Sequence, residues 1–252
     1  MALNVGNSRL AIGVFLAGEL QFSTRVSLEQ RSDWQGILAD AWKRLDGAEG
    51  AAISGASVNP GALESIEHAV EQATGQEISW VGREIDLPIK VATEKPEETG
   101  VDRVLNVAAA YEQLGKACIV VDAGTALTVD VCDDSGSFLG GAIAPGAAMS
   151  LDALHEHTAK LPRVTLAAPS GNIGTSTTQA ILQGVFTGIR GAVKELIESY
   201  ATQLGRWPEV IATGGDAQTL FADWELIHAV SPELTLYGIA LAYANHHIKH
   251  GT

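Results

Sequence analysis

The chain is short of cysteine, of aromatic residues and of positive charge, and each shortage excludes something. Two cysteines in 252 residues, Cys118 and Cys132, make no disulfide framework and no zinc site; both fall in expected strands, where buried thiols are the ordinary reading. Aromatics are 6% of the residues, and Trp34, Trp42, Trp80, Trp207 and Trp224 are scattered without a stacking pattern, so they read as core or interface residues. Only 16 Lys and Arg stand against 30 Asp and Glu, and the net charge of −14 argues against nonspecific binding of nucleic acid or of an anionic membrane, both of which demand a basic face. No apolar run reaches membrane-spanning length, and the start lacks a basic region followed by an apolar core. The expectation is a soluble cytoplasmic protein that contacts neither nucleic acid nor membrane. What is present is ordinary for a globular chain, with 46% apolar and 18% charged residues, enough for two modest cores or one large one.

The most informative stretch is Val120-Val121-Asp122-Ala123-Gly124-Thr125-Ala126-Leu127-Thr128-Val129-Asp130. An apolar strand meets a carboxylate, a glycine allows a tight turn, hydroxyls follow, and a second alternating strand begins. Bare backbone N–H groups and Thr hydroxyls at such a turn can approach phosphate oxygens, while the carboxylate can hold or position a cation. Taken alone, the stretch reads equally as a common β-turn. An imperfect copy begins the chain, Ala2-Leu3-Asn4-Val5-Gly6-Asn7-Ser8-Arg9-Leu10-Ala11, with Asn4 in the place that Asp122 holds 118 residues further on. A third strand candidate follows each copy, 20–27 and 137–143. The chain reads as duplicated, and two related lobes each offering a glycine turn toward a shared cleft suit a nucleotide.

After each three-strand opening the pattern alternates helix and strand. The first half gives a helix over 33–45, a strand over 51–54, a helix over 60–73 and a strand over 78–81. Residues 88–100 form a long loop with Pro88 and Pro96, and a helix over 103–114 ends at Gly115. That glycine sets the expected boundary, with lobes 1–115 and 116–252. The second half gives helices over 146–158 and 176–204, strands over 209–213 and 226–230, and a closing helix over 234–248.

Pro96-Glu97-Glu98-Thr99-Gly100-Val101-Asp102-Arg103 sets a carboxylate beside a guanidinium at a helix start. Phosphoryl transfer to an alcohol benefits from a carboxylate that accepts the hydroxyl proton and from an Arg that holds an anionic acceptor. Helix capping with a solvated Arg103 explains the same residues. Gly140-Gly141-Ala142-Ile143-Ala144-Pro145-Gly146 and Thr213-Gly214-Gly215-Asp216 each run from strand to helix, and read either as donors to a nucleotide or as tight turns. Ile173-Gly174-Thr175-Ser176-Thr177-Thr178 is either an N-cap or a set of substrate hydroxyls. His155 and His157 are two apart on a helix and so on different faces, a poor metal-ligand spacing, while His246, His247 and His250 end the closing helix where solvation is expected.

Six of these elements in order, from the N-terminal glycine turn to Thr213-Gly214-Gly215, resemble the type III pantothenate kinases over nearly the whole chain. The resemblance implies an α/β fold of two ribonuclease-H-like lobes, each a mixed sheet with flanking helices, in the acetate and sugar kinase, Hsp70 and actin superfamily. It implies ATP-dependent phosphorylation of pantothenate, the first committed step toward coenzyme A, by a homodimer that uses ATP with Mg2+ and a monovalent cation, K+ or NH4+. At matching positions Asp102 resembles the proton acceptor and Gly100, Val101 and Arg103 the pantothenate-contacting turn. Thr177 resembles a substrate contact, Asp122 the ligand of the monovalent cation, and Thr125 an ATP contact. Asn4, Gly6, Asn7, Ser8 and Arg9 fall in the N-terminal ATP loop.

Two positions depart from the family pattern. Asn4 stands where the family has Asp, and its amide keeps a carbonyl oxygen but lacks the charge that favours a magnesium shell. Thr93 stands where an aromatic residue is common, which removes an apolar wall from the acceptor pocket. A catalytically weakened binding or regulatory protein, similar to the Bvg accessory factors, and a kinase of another small hydroxy acid therefore stay open beside the pantothenate kinase.

Overall fold

The computed structural model describes residues 1–46 and 48–250. The chain divides into two compact units, residues 1–112 with 233–252, and residues 113–232.

In the first unit β1 (Ala2–Val5), β2 (Arg9–Leu16) and β3 (Glu19–Ser27) form an antiparallel meander, to which β4 (Ile53–Ser57) and β5 (Ile78–Trp80) add in parallel, giving the order β3-β2-β1-β4-β5. Side chains alternate across the strands, so Leu3, Val5, Leu10, Ile12 and Val14 share one face. They bury against Trp34, Leu38 and Ala41 of α1 (Arg31–Trp42) and Ile66 and Val70 of α2 (Leu63–Thr74). The other face is small, with Ala2, Ala11 and Ala56, and takes Leu105 of α3 (Val101–Leu114) and Leu236, Ile239 and Ala242 of α7 (Leu234–His250). Burial of these apolar side chains is the main force holding each layer to the sheet.

The second unit repeats the plan. Its strands β6 (Cys118–Ala123), β7 (Ala126–Cys132), β8 (Phe138–Pro145), β9 (Glu209–Thr213) and β10 (Ala229–Val230) stand in the order β8-β7-β6-β9-β10, again three antiparallel and two parallel. Ile119, Val121, Leu127 and Val129 pack against α4 (Ala147–Glu156), α5 (Thr177–Leu204) and α6 (Ala217–Phe221). The duplication expected from sequence is thus a repeat of topology. Asn4 and Asp122 occupy the same rung, Asn4 paired with Ala11 and Ala56, Asp122 with Thr128 and Thr213. Cys118 and Cys132 are buried free thiols directly opposite each other on β6 and β7.

Several boundaries differ from expectation. The strand expected at 51–54 runs from Ile53 to Ser57, because its parallel pairing with β1 spans Ser54 to Ser57. The helices expected from Asp33 and Pro60 each include a 3-10 turn, Lys43–Leu45 at the end of one and Pro60–Ala62 at the start of the other. Of the strand expected at 226–230 only Ala229 and Val230 pair, with Ile211 and Ala212. The closing helix, placed with the second half by the boundary at 115, belongs to the first unit. Its apolar stripe fits the small face of the first sheet, and Gly238 lets it lie against α3 so closely that a Cβ there would fall 2.7 Å from the Leu105 carbonyl carbon.

Candidate active site

The second unit gathers its glycine turns around the end of β6. Asp122 is half-buried at that strand end, and Gly124 and Thr125 make the turn into β7, with the Gly124 N–H donating to the Ala126 carbonyl at 3.1 Å. Gly214 enters from β9 with φ 95°, and a Cβ on it would lie 2.5 Å from Asp122 Oδ1. The Asp216 N–H then donates to the Ala123 carbonyl at 2.9 Å, which fastens the double-glycine loop to the strand end. From the other side Gly146, the N-cap of α4, packs on the same turn; its Cβ would meet the Gly124 carbonyl oxygen and lie 2.5 Å from that of Thr125. The result is a backbone-walled cradle holding a carboxylate and an exposed threonine, a surface suited to anionic oxygens and a cation. Three segments singled out separately in the sequence are therefore one assembly.

The corresponding turn of the first unit is a residue longer. Gly6 donates its N–H to the Arg9 carbonyl at 3.0 Å, and the Ser8 carbonyl accepts from Leu28 at 3.0 Å, so Asn7, Ser8 and Arg9 stand exposed on a pinned turn. Asn4 is half-buried at the strand end behind them.

Gly100, Val101, Asp102 and Arg103 open α3 in the same unit. The Gly100 carbonyl accepts from Arg103 at 3.2 Å and from Val104 at 3.4 Å. Asp102 folds back over this turn, Oδ1 accepting the Arg103 backbone N–H at 2.8 Å. Burial raises its carboxyl above the ordinary carboxylate value, and the Arg103 N–H and guanidinium charge only partly offset that. A carboxylate raised by desolvation is a better proton acceptor than a solvated one. Thr93 and Thr99 share a hydroxyl–hydroxyl hydrogen bond of 3.0 Å, which ties the 88–100 loop to the residue before Gly100. Sequence reading identified Thr93 only by what it lacks.

Thr177 is the exposed first residue of α5, and the cap is Ser176, whose hydroxyl accepts from the Gln179 N–H at 3.3 Å. Residues 4–9 and 100–103 belong to the first unit, and 122, 125 and 177 to the second. Asp130 carries no role in the sequence reading, yet it is 1% exposed and accepts from Thr128 Oγ1 at 3.0 Å. Its signal was a carboxylate in an apolar strand. His155 bonds the Leu161 carbonyl, in keeping with a structural histidine. Of the histidines ending α7, His250 is exposed as expected and His246 is half-buried, and the two group with Asp86.

Solved structures share this architecture at low identity. A Baf family transcriptional activator structure from Campylobacter jejuni superposes with TM-score 0.62 at 20% identity, over 99% of this chain and 98% of its own. Component A of (R)-2-hydroxyglutaryl-CoA dehydratase from Acidaminococcus fermentans gives 0.55 at 14% identity, over 99% and 98%. The two five-stranded sheets of like topology are the fold that these solved structures share with the chain. Sequence comparison narrows the class. The model of the type III pantothenate kinase family matches residues 1–199. Type III pantothenate kinases from Moorella thermoacetica and Brevibacillus brevis are each 34% identical to this chain, covering 96% of it and 98% and 97% of themselves. The chain belongs to the type III pantothenate kinase family.

Proposed function

We propose that the chain transfers the terminal phosphoryl group of ATP to the primary hydroxyl of pantothenate, the opening step of coenzyme A synthesis, as a cytoplasmic enzyme. The observation that carries this reading is Asp102, a carboxylate raised by burial at the first turn of α3. It takes the hydroxyl proton as the pantothenate oxygen bonds to the γ-phosphorus and the bond to the ADP oxygen breaks. No covalent phosphoenzyme is needed, and catalysis rests on alignment and charge neutralisation.

Gly100, Val101 and Arg103 hold the acceptor, the guanidinium addressing its carboxylate, and Thr177 adds a substrate contact. The pinned turn of Gly6, Asn7, Ser8 and Arg9 and the Thr125 hydroxyl position the triphosphate. The cradle walled by Gly146 and Gly214 fits a cation at Asp122, since hard oxygen donors and no side-chain bulk face it. There Asp122 holds K+ or NH4+. Asn4 would offer a neutral carbonyl oxygen to the magnesium that accompanies ATP, whose charge would offset that of the triphosphate. No helix among the described residues is long and apolar enough to cross a membrane. A homodimer is the proposed assembly, supported by the exposed Ile143 and Met149 near a groove of α5 lined by Gly184 and Gly188.

The test is a coupled assay with ATP, Mg2+, K+ and pantothenate. Turnover supports the reading. Asn4 favours a second one, a weakened family member that binds without turning over. Absence of turnover in the native chain, with activity gained by Asn4→Asp, would establish it. Phosphorylation of another hydroxy acid in preference to pantothenate would point to the pocket around Thr93.

A further inference from the structure

We propose that Asp86, His246 and His250 form a binding site for a divalent transition-metal ion of the zinc class, which clamps the segment after β5 to the end of α7.

His246 and His250 are one helical turn apart and so share a face of α7. Their rings lie 4.4 Å apart between centroids, and Asp86 completes a group in which one ligand atom from each residue lies within 4.8 Å of the others. A second observation concerns His246 itself. Its Nδ1 is buried and has no hydrogen-bond partner among the described residues, an arrangement that leaves a desolvated nitrogen lone pair or N–H unsatisfied.

Two imidazoles and one carboxylate are the donor set of zinc-class sites, with room for water as a fourth ligand. Magnesium, which prefers oxygen donors, is not suited to it. Ligand atoms around tetrahedral zinc stand roughly 3.3 Å apart, given bonds of about 2.0 to 2.1 Å, so closing the site requires side-chain movements of about an ångström. The segment beside Asp86 is anchored to α7. Ile85, next to Asp86, is buried in the same cluster as Leu236, Ile239 and Ala242 of α7. Asp86 and His250 are exposed, so solvent and an ion can reach them.

The competitor is Lys249, whose ammonium lies 2.8 Å from Asp86 Oδ2 and draws the carboxyl below its usual range. Its side chain is 68% exposed, so it can leave for solvent when the ion arrives. Removing Lys249 therefore strengthens metal binding, which a purely structural ion pair does not anticipate.

The full chain, stripped with a chelator, is titrated with Zn2+ against a chromophoric chelator, and folding of each variant is checked by circular dichroism. The expected result is one Zn2+ per chain at this site, undisturbed by millimolar Mg2+. His250→Ala and Asp86→Asn each weaken it by about tenfold or more, and Lys249→Ala tightens it. The proposal is overturned if the native chain binds Zn2+ no more tightly than the His246→Ala/His250→Ala double variant, if Mg2+ displaces the zinc, or if Lys249→Ala leaves the affinity unchanged or lower.

Discussion

Gly214 packs against the Asp122 carboxylate so closely that a Cβ at position 214 would stand 2.5 Å from Oδ1, and 2.5 Å from the Ala123 carbonyl carbon. Its φ of 95° adds a conformation that L side chains rarely adopt. Gly214→Ala is therefore expected to lower the stability of the chain by about 2 to 4 kcal/mol, the sum of backbone strain and overpacking. A urea unfolding curve measures this. The folded fraction should also show a raised KM for ATP, because the loop that walls the cradle has moved.

Asp102→Asn should reduce kcat by about 10² to 10⁴ with ATP affinity little changed, the range for losing a general base. An unchanged rate removes Asp102 from the mechanism. In the native enzyme the acid limb of the kcat/KM profile should lie above the usual carboxylate range, since burial raises this carboxyl.

The same shift sets a stability prediction of definite sign. An acid whose folded-state pKa is raised favours folding most below its unfolded pKa, and that contribution is lost as pH rises through the folded value. A neutral amide at position 102 escapes the loss. The Asp102→Asn chain should melt higher than the native one at pH 7, and the difference should vanish in acid below the unfolded carboxylate pKa.

Asp122→Ala should blunt activation by K+ while leaving the fold intact, because Asp122 is half-buried at a strand end and not in the packed core. Initial rates across a KCl series provide the measurement, with ionic strength held constant. A response curve identical to that of the native chain would assign the monovalent cation elsewhere.

Gly238→Ala should destabilise the first unit by about 1 to 3 kcal/mol, as the added methyl would meet Leu105 at 2.7 to 2.8 Å and push α7 off α3. Hydrogen exchange can localise the effect. Faster exchange in β1 and β4 would mark α7 as support for that sheet, and faster exchange confined to β6 and β9 would contradict the assignment.

Much of the site was legible because its chemistry is local. A strand followed by Asp122, Gly124 and Thr125 has to turn tightly wherever it stands, and Gly100 to Arg103 open a helix for reasons of short-range hydrogen bonding alone. A helix after Asp216 was expected, but the extent of α6, residues 217–221, was not legible, since so short a segment shows no helical period and forms by packing Leu220 and Phe221 into the core. Thr93 meets Thr99 across a loop without periodicity, so nothing in the intervening residues announced the bond.

Residue pattern by itself determined the duplication, the strand openings and the positions of Asn4 and Asp122 on equivalent rungs, because alternation of apolar side chains and tight turns are properties of neighbouring residues. Tertiary structure alone decided that α7 returns to the first sheet, that Gly146 and Gly214 close on one turn, and that Asp86 faces two histidines about 160 residues away in sequence. Those outcomes depend on which surfaces fit at atomic distance, and complementarity between segments far apart in the chain leaves no local trace.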